Sequence, residues 1–271
     1  MSSSTHKPAN KPTHKLTPDQ RLAAANILAQ RRLQGICGER LPVSLRPDSI
    51  EEAMQIQGLL AGQLDDKIAG WKCGMPGDGK IVVAPIFSRT VYHQHQHAIC
   101  KVCDEDYVKI EPELAFVLSS DLPARATPYS DEEILAAISH AQLALEIIGC
   151  RYRDPASTSF AELLADGLFN QGLYLGPAIT TQHAMQQQTI DLTLKVEGQE
   201  TQSLAGLHPA TNPLSPLFWL VNYLRQHADG LRAGQAIITG SYAGSPVVPM
   251  HNLVQVQYAD SGSITVCFER G

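Results

Sequence analysis

Glu111 and Glu113 stand two apart in Lys109-Ile110-Glu111-Pro112-Glu113-Leu114-Ala115-Phe116-Val117-Leu118, where acids alternate with apolar residues before the run turns almost wholly apolar. Alternation is the strand period, so both carboxylates face one side of a strand. Like charges so placed repel unless something cationic lies between them, and a hard divalent ion held by carboxylate oxygens is the simplest remedy. The bland alternative is a solvated strand face, the commoner meaning of a Glu-x-Glu. Two features weigh against it. Leu114, Phe116 and Leu118 are apolar, so the acids' face reads as buried further along. Glu146 stands alone in a second apolar run, Ala141 to Ile148, and a lone acid there needs a partner if buried. Three carboxylates from two strands make an open Mg²⁺ or Mn²⁺ site with room for water and substrate.

Other residues offer chemistry with open alternatives. Lys72 lies in the Gly-flanked apolar segment Ile68-Ala69-Gly70-Trp71-Lys72-Cys73-Gly74, where it is either partly desolvated or a surface lysine on an edge strand. His93, His95 and His97 alternate, with Cys100 and Cys103 close behind, which suits zinc or an exposed polar strand; no second cysteine pair follows at finger spacing. Arg151 suits either a substrate carboxylate or a surface acid.

The elements that must position these groups follow from patterning. Thr17-Pro18-Asp19 opens a helix that Gly35 ends, and a second helix begins near Asp48 with Glu51 as a capping box; both read as packing material. Ser130 and Glu133 cap a helix between the two acidic strands. The second half reads as short strands with a helix over residues 213–226, a turn at Gly198-Gln199 and a closing hairpin split by Asp260-Ser261-Gly262, as in a closed or rolled sheet. Residues 1–15, almost without apolar side chains, read as a disordered tail. With 271 residues, 44% of them hydrophobic, the chain affords a sizeable core. A net charge of −6 and the lack of a basic block exclude a nucleic-acid binder, and no apolar run reaches membrane-spanning length. Six cysteines with scattered spacing read as free thiols in a reducing compartment, the cytoplasm.

The order of these pieces resembles the fumarylacetoacetate hydrolase superfamily, and within it the 2-keto-4-pentenoate hydratase and 4-oxalocrotonate decarboxylase branch. Gly70-Trp71-Lys72-Cys73-Gly74 resembles that branch's Gly-aromatic-Lys-x-Gly segment. Glu111-Pro112-Glu113 with its apolar tail is similar to the first metal strand, and Leu145-Glu146-Ile147-Ile148 followed by Arg151 to the third-ligand strand. Ala165-Asp166 matches the start of a substrate-loop motif, and Leu231 to Ser241 resembles the C-terminal strand and turn. The resemblance implies an α+β fold, with a mixed β-sheet rolled into a barrel-like core and peripheral helices. Residues 16–66 would be a helical segment packed on a catalytic domain of residues 67–271, in an oligomer of identical chains. It implies Mg²⁺ or Mn²⁺ on Glu111, Glu113 and Glu146, chelated by a small 2-oxo acid substrate. Lys72 would transfer a proton or hold the substrate carboxylate, Asp166 would orient water or Lys72, and Arg151, Asn170 and Thr239 would contact substrate. The implied activity is hydration of a 2-hydroxy-2,4-dienoate (2-oxo-4-enoate). Decarboxylation of 4-oxalocrotonate needs the same electron sink. C–C hydrolysis of acylpyruvates, or loss of hydratase activity, are the remaining alternatives. The sequence departs from the hydratases after Asp166, where Gly167-Leu168-Phe169-Asn170-Gln171 replaces Asn and small or hydroxyl residues, and at Gly149, where many relatives carry an acid.

Overall fold

The computed structural model describes residues 15–93, 98–103 and 106–271; the expected tail, apart from Lys15, lies outside them, as do His95 and His97. Helix α1 (Pro18–Gln34) begins where Thr17 and Gln20 form a reciprocal capping box and ends at Gly35, whose φ is +62°. Helix α2 (Ile50–Gln63) is capped by Ser49, which accepts from the Glu52 N–H at 3.1 Å, one residue later than the expected Asp48 with Glu51. Asp and Ser are equally competent caps. The choice is tertiary: buried Glu52 accepts from the N–H of Leu16 (2.6 Å) and of Asp48 (3.0 Å), tying the entry of α1 to that of α2.

Strands β1 (Ile68–Gly77) and β2 (Lys80–Phe87) form a hairpin around Asp78 and Gly79, both at positive φ, the twist that tight hairpin turns favour. The chain continues through β3 (Val91–His93), β4 (Ala98–Val102), β5 (Tyr107–Leu118), β6 (Leu122–Pro123), α3 (Asp131–Ala136), β7 (Ile138–Ile148), α4 (Phe160–Ala165) and β8 (Asn170–Ile179). It then forms α5 (Thr181–Met185), β9 (Thr189–Val196), β10 (Gln202–Leu207), α6 (Ser215–His227), β11 (Gly230–Leu231), β12 (Ala236–Ile238), β13 (Val247–Pro249), β14 (Val254–Tyr258) and β15 (Ser263–Arg270).

The larger sheet runs β2-β1-β12-β5-β7-β8-β3, with β13 also on β5; the smaller runs β10-β9-β14-β15-β4. Both are mixed: β1/β12, β3/β8 and β4/β15 are parallel and the other paired strands antiparallel. The larger sheet curls into a half-barrel, and the fold is α+β as expected. Leu114, Phe116, Leu145, Leu220, Val256 and Phe268 belong to one buried core that draws on both sheets and α6. A second cluster joins α1 and α2 to α4 through Leu28, Ile56, Leu60 and Leu164.

The register of β1 on β12 sets the position of Lys72, which pairs with Ile238. Two residues earlier, a Cβ on Gly70 would lie 2.2 Å from the Ala236 carbonyl oxygen. Backbone on both sides leaves nothing flexible to yield. Gly70→Ala is therefore expected to lose about 3 kcal/mol of stability in urea denaturation, at the upper end of overpacking costs.

Candidate active site

β5 and β7 pair so that Glu111 lies directly opposite Glu146, and Glu113 opposite Ala144. The odd-numbered residues of β5 share one face. Oxygens of Glu111, Glu113 and Glu146 lie within 4.8 Å of one another, the group among the described residues suited to hold a metal ion. Beyond the acids this face continues as Ala115, Ala144, Leu173 and Ile238, a small apolar floor. Leu114, Phe116 and Leu118 fill the opposite face, in the main core. The expectation that they bury the acids' own side is corrected here, because even-numbered strand residues cannot share it.

A single loop, residues 239–246, completes the acidic strand. β12 leaves β5 at Ala115 and β13 joins it at Lys109. Pro112 falls in this gap, with its carbonyl accepting from the Tyr242 N–H at 2.9 Å, so its missing N–H faces an edge where no ladder bond is demanded. The same loop gives the Gly240 N–H to Glu113 Oε2 (2.7 Å) and the Ser245 hydroxyl to Glu111 Oε1 (2.5 Å).

Glu146 is fully buried, and its Oε1 accepts from Lys72 Nζ at 2.8 Å and from Asn170 Nδ2 at 2.9 Å. Its Oε2 has no partner. Burial raises the carboxyl of Glu146 to about 6, with Lys72 opposing and Glu111 adding to the shift. Burial first, then Glu146 and Glu111, push Glu113 well above the usual carboxylate range. Burial pulls the Lys72 ammonium down, but the fields of Glu146, Glu111 and Glu113 outweigh it and hold the group protonated. A buried oxygen without a donor, beside two further acids that resist sharing charge, is what a divalent cation completes. The donor set is all oxygen, which suits a hard divalent ion such as Mg²⁺, Ca²⁺ or Mn²⁺.

Lys72 Nζ also donates to the Leu168 carbonyl at 3.1 Å. That carbonyl is delivered by a strained turn in which Gly167, Leu168 and Phe169 have φ of +92°, +48° and +66°. Each non-glycine residue held there costs on the order of 1 kcal/mol, so the surroundings must enforce the turn. Arg32 of α1 supplies part of the restraint, donating to the carbonyls of Asp166 (2.9 Å) and Asn170 (3.3 Å) at the ends of the segment. The first helix thus supports the site, beyond the packing role expected of it.

A cavity of about 300 Å³ opens over the acids. Its lining includes Lys72, Glu111, Glu113, Glu146 and Thr239, with Met75, Val82, Pro209, Ala210 and Pro216. A larger groove of about 1420 Å³ lies between α2 and the end of α6, lined by Met54, Trp71 and Tyr223 among others. It contains none of the three clustered carboxylates, so perturbed groups favour the smaller cavity as the chemical site.

The remaining expected site residues are placed differently. Arg151 and Asp166, 3% and 1% exposed, pair with each other: Arg151 Nε lies 3.0 and 2.9 Å from the two carboxylate oxygens. Arg151 Nη2 adds a bond to the Asp166 carbonyl at 2.9 Å. Neither lines the cavity. Expected to meet substrate and the reacting proton, they face each other in this structure, each neutralising the other and together bracing the strained turn. Asn170 likewise is engaged with Glu146, outside the cavity lining. Asp166→Ala strands a buried guanidinium and is expected to cost about 3–5 kcal/mol, read by urea denaturation. Full stability in that variant would sink the bracing role. Sequence reasoning missed the Gly240 N–H, Ser245 and His208; the glycine turn after β12 was visible, but nothing local marked its target.

The sequence profile described as Fumarylacetoacetate (FAA) hydrolase C-terminal matches residues 78–268. The chain is 23% identical over 265 residues to a 2-keto-4-pentenoate hydratase of Paraburkholderia xenovorans (strain LB400), covering 94% of this chain and 97% of that protein. It is 22% identical over 262 residues to a 4-oxalocrotonate decarboxylase of Pseudomonas putida, covering 93% and 98%. The fold matches the 4-oxalocrotonate decarboxylase from Pseudomonas putida G7, complexed with magnesium and adipate, with a TM-score of 0.77, 19% identity and coverage of 94% and 100%.

Proposed function

Because this chain belongs to the fumarylacetoacetate hydrolase family, we propose that it is a divalent-metal-dependent hydro-lyase that adds water to a 2-hydroxy-2,4-dienoate such as 2-hydroxypenta-2,4-dienoate. The observation that carries the reading is the unpartnered Oε2 of Glu146 beside Glu111, Glu113 and Lys72 in one cavity. Glu111, Glu113 and Glu146 would hold Mg²⁺ or Mn²⁺. Such an ion, when bound, supplies Lewis-acid stabilisation of negative charge on the substrate's 2-oxygen and carboxylate.

The chain's own groups do the rest. Ketonisation removes the proton of the 2-hydroxyl and places one on C5, giving the 2-oxo-3-enoate. Water then adds its oxygen to C4 and a proton to C3, giving the 4-hydroxy-2-oxo acid. Lys72 is the ammonium positioned to hold the carboxylate or pass a proton. Thr239 offers a hydroxyl to the same substrate end. Met75, Val82, Pro209, Ala210 and Pro216 shelter the hydrocarbon end and exclude stray water.

The lining also favours hydratase over decarboxylase. Lys72 is the one cation among the described residues that line the cavity, and beyond the three carboxylates and Thr239 the rest of the wall is apolar. A dicarboxylate such as 4-oxalocrotonate would bring its distal charge against a wall with no second cation. A monocarboxylate with an apolar tail meets no such penalty.

The test is calorimetric titration of Mg²⁺ with and without oxalate, which mimics the chelating 2-oxo acid end, followed by assay of both substrates. Oxalate binding only in the presence of Mg²⁺, with turnover of 2-hydroxypenta-2,4-dienoate, is expected. Binding of neither ligand would make the carboxylates structural. Turnover of 4-oxalocrotonate alone would establish the decarboxylase. The same reading carries a cytoplasmic setting and an assembly of identical chains. Among the described residues no two cysteines are joined in a disulfide, and no helix is long and apolar enough to cross a membrane. Light scattering in solution reads the assembly.

A further inference from the structure

His208 stands directly behind the cavity wall. It is 3% exposed and Thr239 1%, and His208 Nε2 lies 3.2 Å from Thr239 Oγ1. Its neighbours Pro209 and Ala210 line the cavity with Thr239 and Gly240. The Tyr242 ring meets the imidazole edge-on at 5.1 Å and fixes its plane. We propose that His208 is a positioning residue, whose Nε2–H occupies the Thr239 hydroxyl oxygen and thereby turns the hydroxyl proton into the cavity toward the substrate's carboxylate. This rests on the anionic substrate proposed above.

The direction of the His208–Thr239 bond depends on which ring nitrogen holds the proton. The Ala210 N–H donates to His208 Nδ1 at 3.1 Å and has no other acceptor among the described hydrogen bonds. The Ala210 carbonyl lies at 3.1 Å from the same nitrogen. A ring proton on Nδ1 would satisfy that carbonyl and orphan a buried N–H, the rarer and costlier defect. Nδ1 therefore accepts, and the proton sits on Nε2. Burial lowers the His208 pKa, which keeps the ring neutral and the tautomer defined.

The direction of the bond matters because of what else lines the cavity. Three carboxylates make it a poor host for an anion, and Lys72 is already engaged with Glu146. If Thr239 donated to the imidazole, its hydroxyl would present lone pairs to the substrate and add to the repulsion. With the imidazole donating, the same hydroxyl becomes a donor for the incoming carboxylate.

Two substitutions separate this role from mere support of the loop. An asparagine places its oxygen near Nδ1 and keeps the Ala210 N–H bonded, but has nothing at Nε2. A glutamine places an amide N–H near Nε2 and loses the turn. With Mg²⁺ saturating, Thr239→Val and His208→Asn are each expected to weaken oxalate binding about tenfold, the cost of one hydrogen bond to a charged group, with Mg²⁺ affinity unchanged. His208→Gln is expected to stay within about threefold of the parent protein. The reverse order, with His208→Asn intact and His208→Gln impaired, would show that the histidine only holds the turn and would overturn the proposal. Long-range ¹H–¹⁵N correlation spectra of the metal-free parent protein read the tautomer directly: an Nε2-protonated ring is expected, and an Nδ1-protonated ring overturns the proposal even if neither variant folds. Parent protein that fails to bind oxalate in Mg²⁺ sinks the substrate reading instead, and the spectrum still decides the bond's direction.

Discussion

Replacing Glu113 with glutamine raises the thermal midpoint of the metal-free protein at pH 8 and abolishes the further rise that Mg²⁺ gives the parent. Burial and the fields of Glu146 and Glu111 push the Glu113 carboxyl well above its ordinary range. A carboxyl with a raised folded pKa binds its proton more tightly folded than unfolded. Its contribution is complete below the unfolded value, about 4.3, and is lost as pH rises through the folded value. For Glu146 that window runs from the ordinary value to about 6. The loss there is on the order of 2 kcal/mol, and Glu113 extends it to higher pH. The metal-free protein is therefore under electrostatic load at pH 8 and relieved at pH 5. Glutamine keeps an oxygen for the Gly240 N–H while shedding the charge. The gain is about 1–3 kcal/mol, or several degrees for a chain of this size. Scanning calorimetry at pH 5 and 8, in chelator and in Mg²⁺, reads all of it. A lower metal-free midpoint at pH 8, or a retained Mg²⁺ response, would show that Glu113 is a stabilising acid unconnected with a metal.

Lys72→Met has the larger effect on rate: turnover falls about 10²–10⁴-fold, the usual worth of a positioned proton donor. Mg²⁺ binding moves the other way. The ammonium lies 2.8 Å from Glu146 Oε1 and competes for the carboxylates. Methionine fills similar space without charge, so Mg²⁺ affinity rises as turnover collapses. Arginine restores the charge but does not give up its proton, and it does not restore the rate. Turnover within tenfold of the parent protein would remove Lys72 from the chemistry. Loss of Mg²⁺ binding in Lys72→Met would recast the lysine as part of the scaffold.

Sequence period and charge were enough to group Glu111, Glu113 and Glu146, because strand parity is local and a lone acid in an apolar run demands a partner. The caps of α1 and α3, the helix over residues 213–226 that became α6 and the closing β14/β15 hairpin were legible for the same reason. Legibility ended where long-range contacts decide. Arg151 and Asp166 are only fifteen apart in sequence, yet nothing in either segment says that they neutralise each other. Asp48 and Ser49 are both cap formers, and only the reach of Glu52 to Leu16 selects between them. His208 was unremarked because a single histidine in a loop has no pattern; its partner lies thirty-one residues on, across the cavity wall.

The order of strands in the larger sheet also sets an order of events. β5 and β7, which hold all three carboxylates, are close in sequence, with only β6 and α3 between them, and pair antiparallel. β1, which brings Lys72, must meet β12 in parallel across most of the chain, Trp71 with Ile237. Loop closure makes the first pairing the quicker one. The nascent sheet therefore carries its three negative charges before their ammonium arrives. In that interval a divalent cation held by the three carboxylates would act as a folding ligand, neutralising a half-built hairpin long before there is a reaction to catalyse.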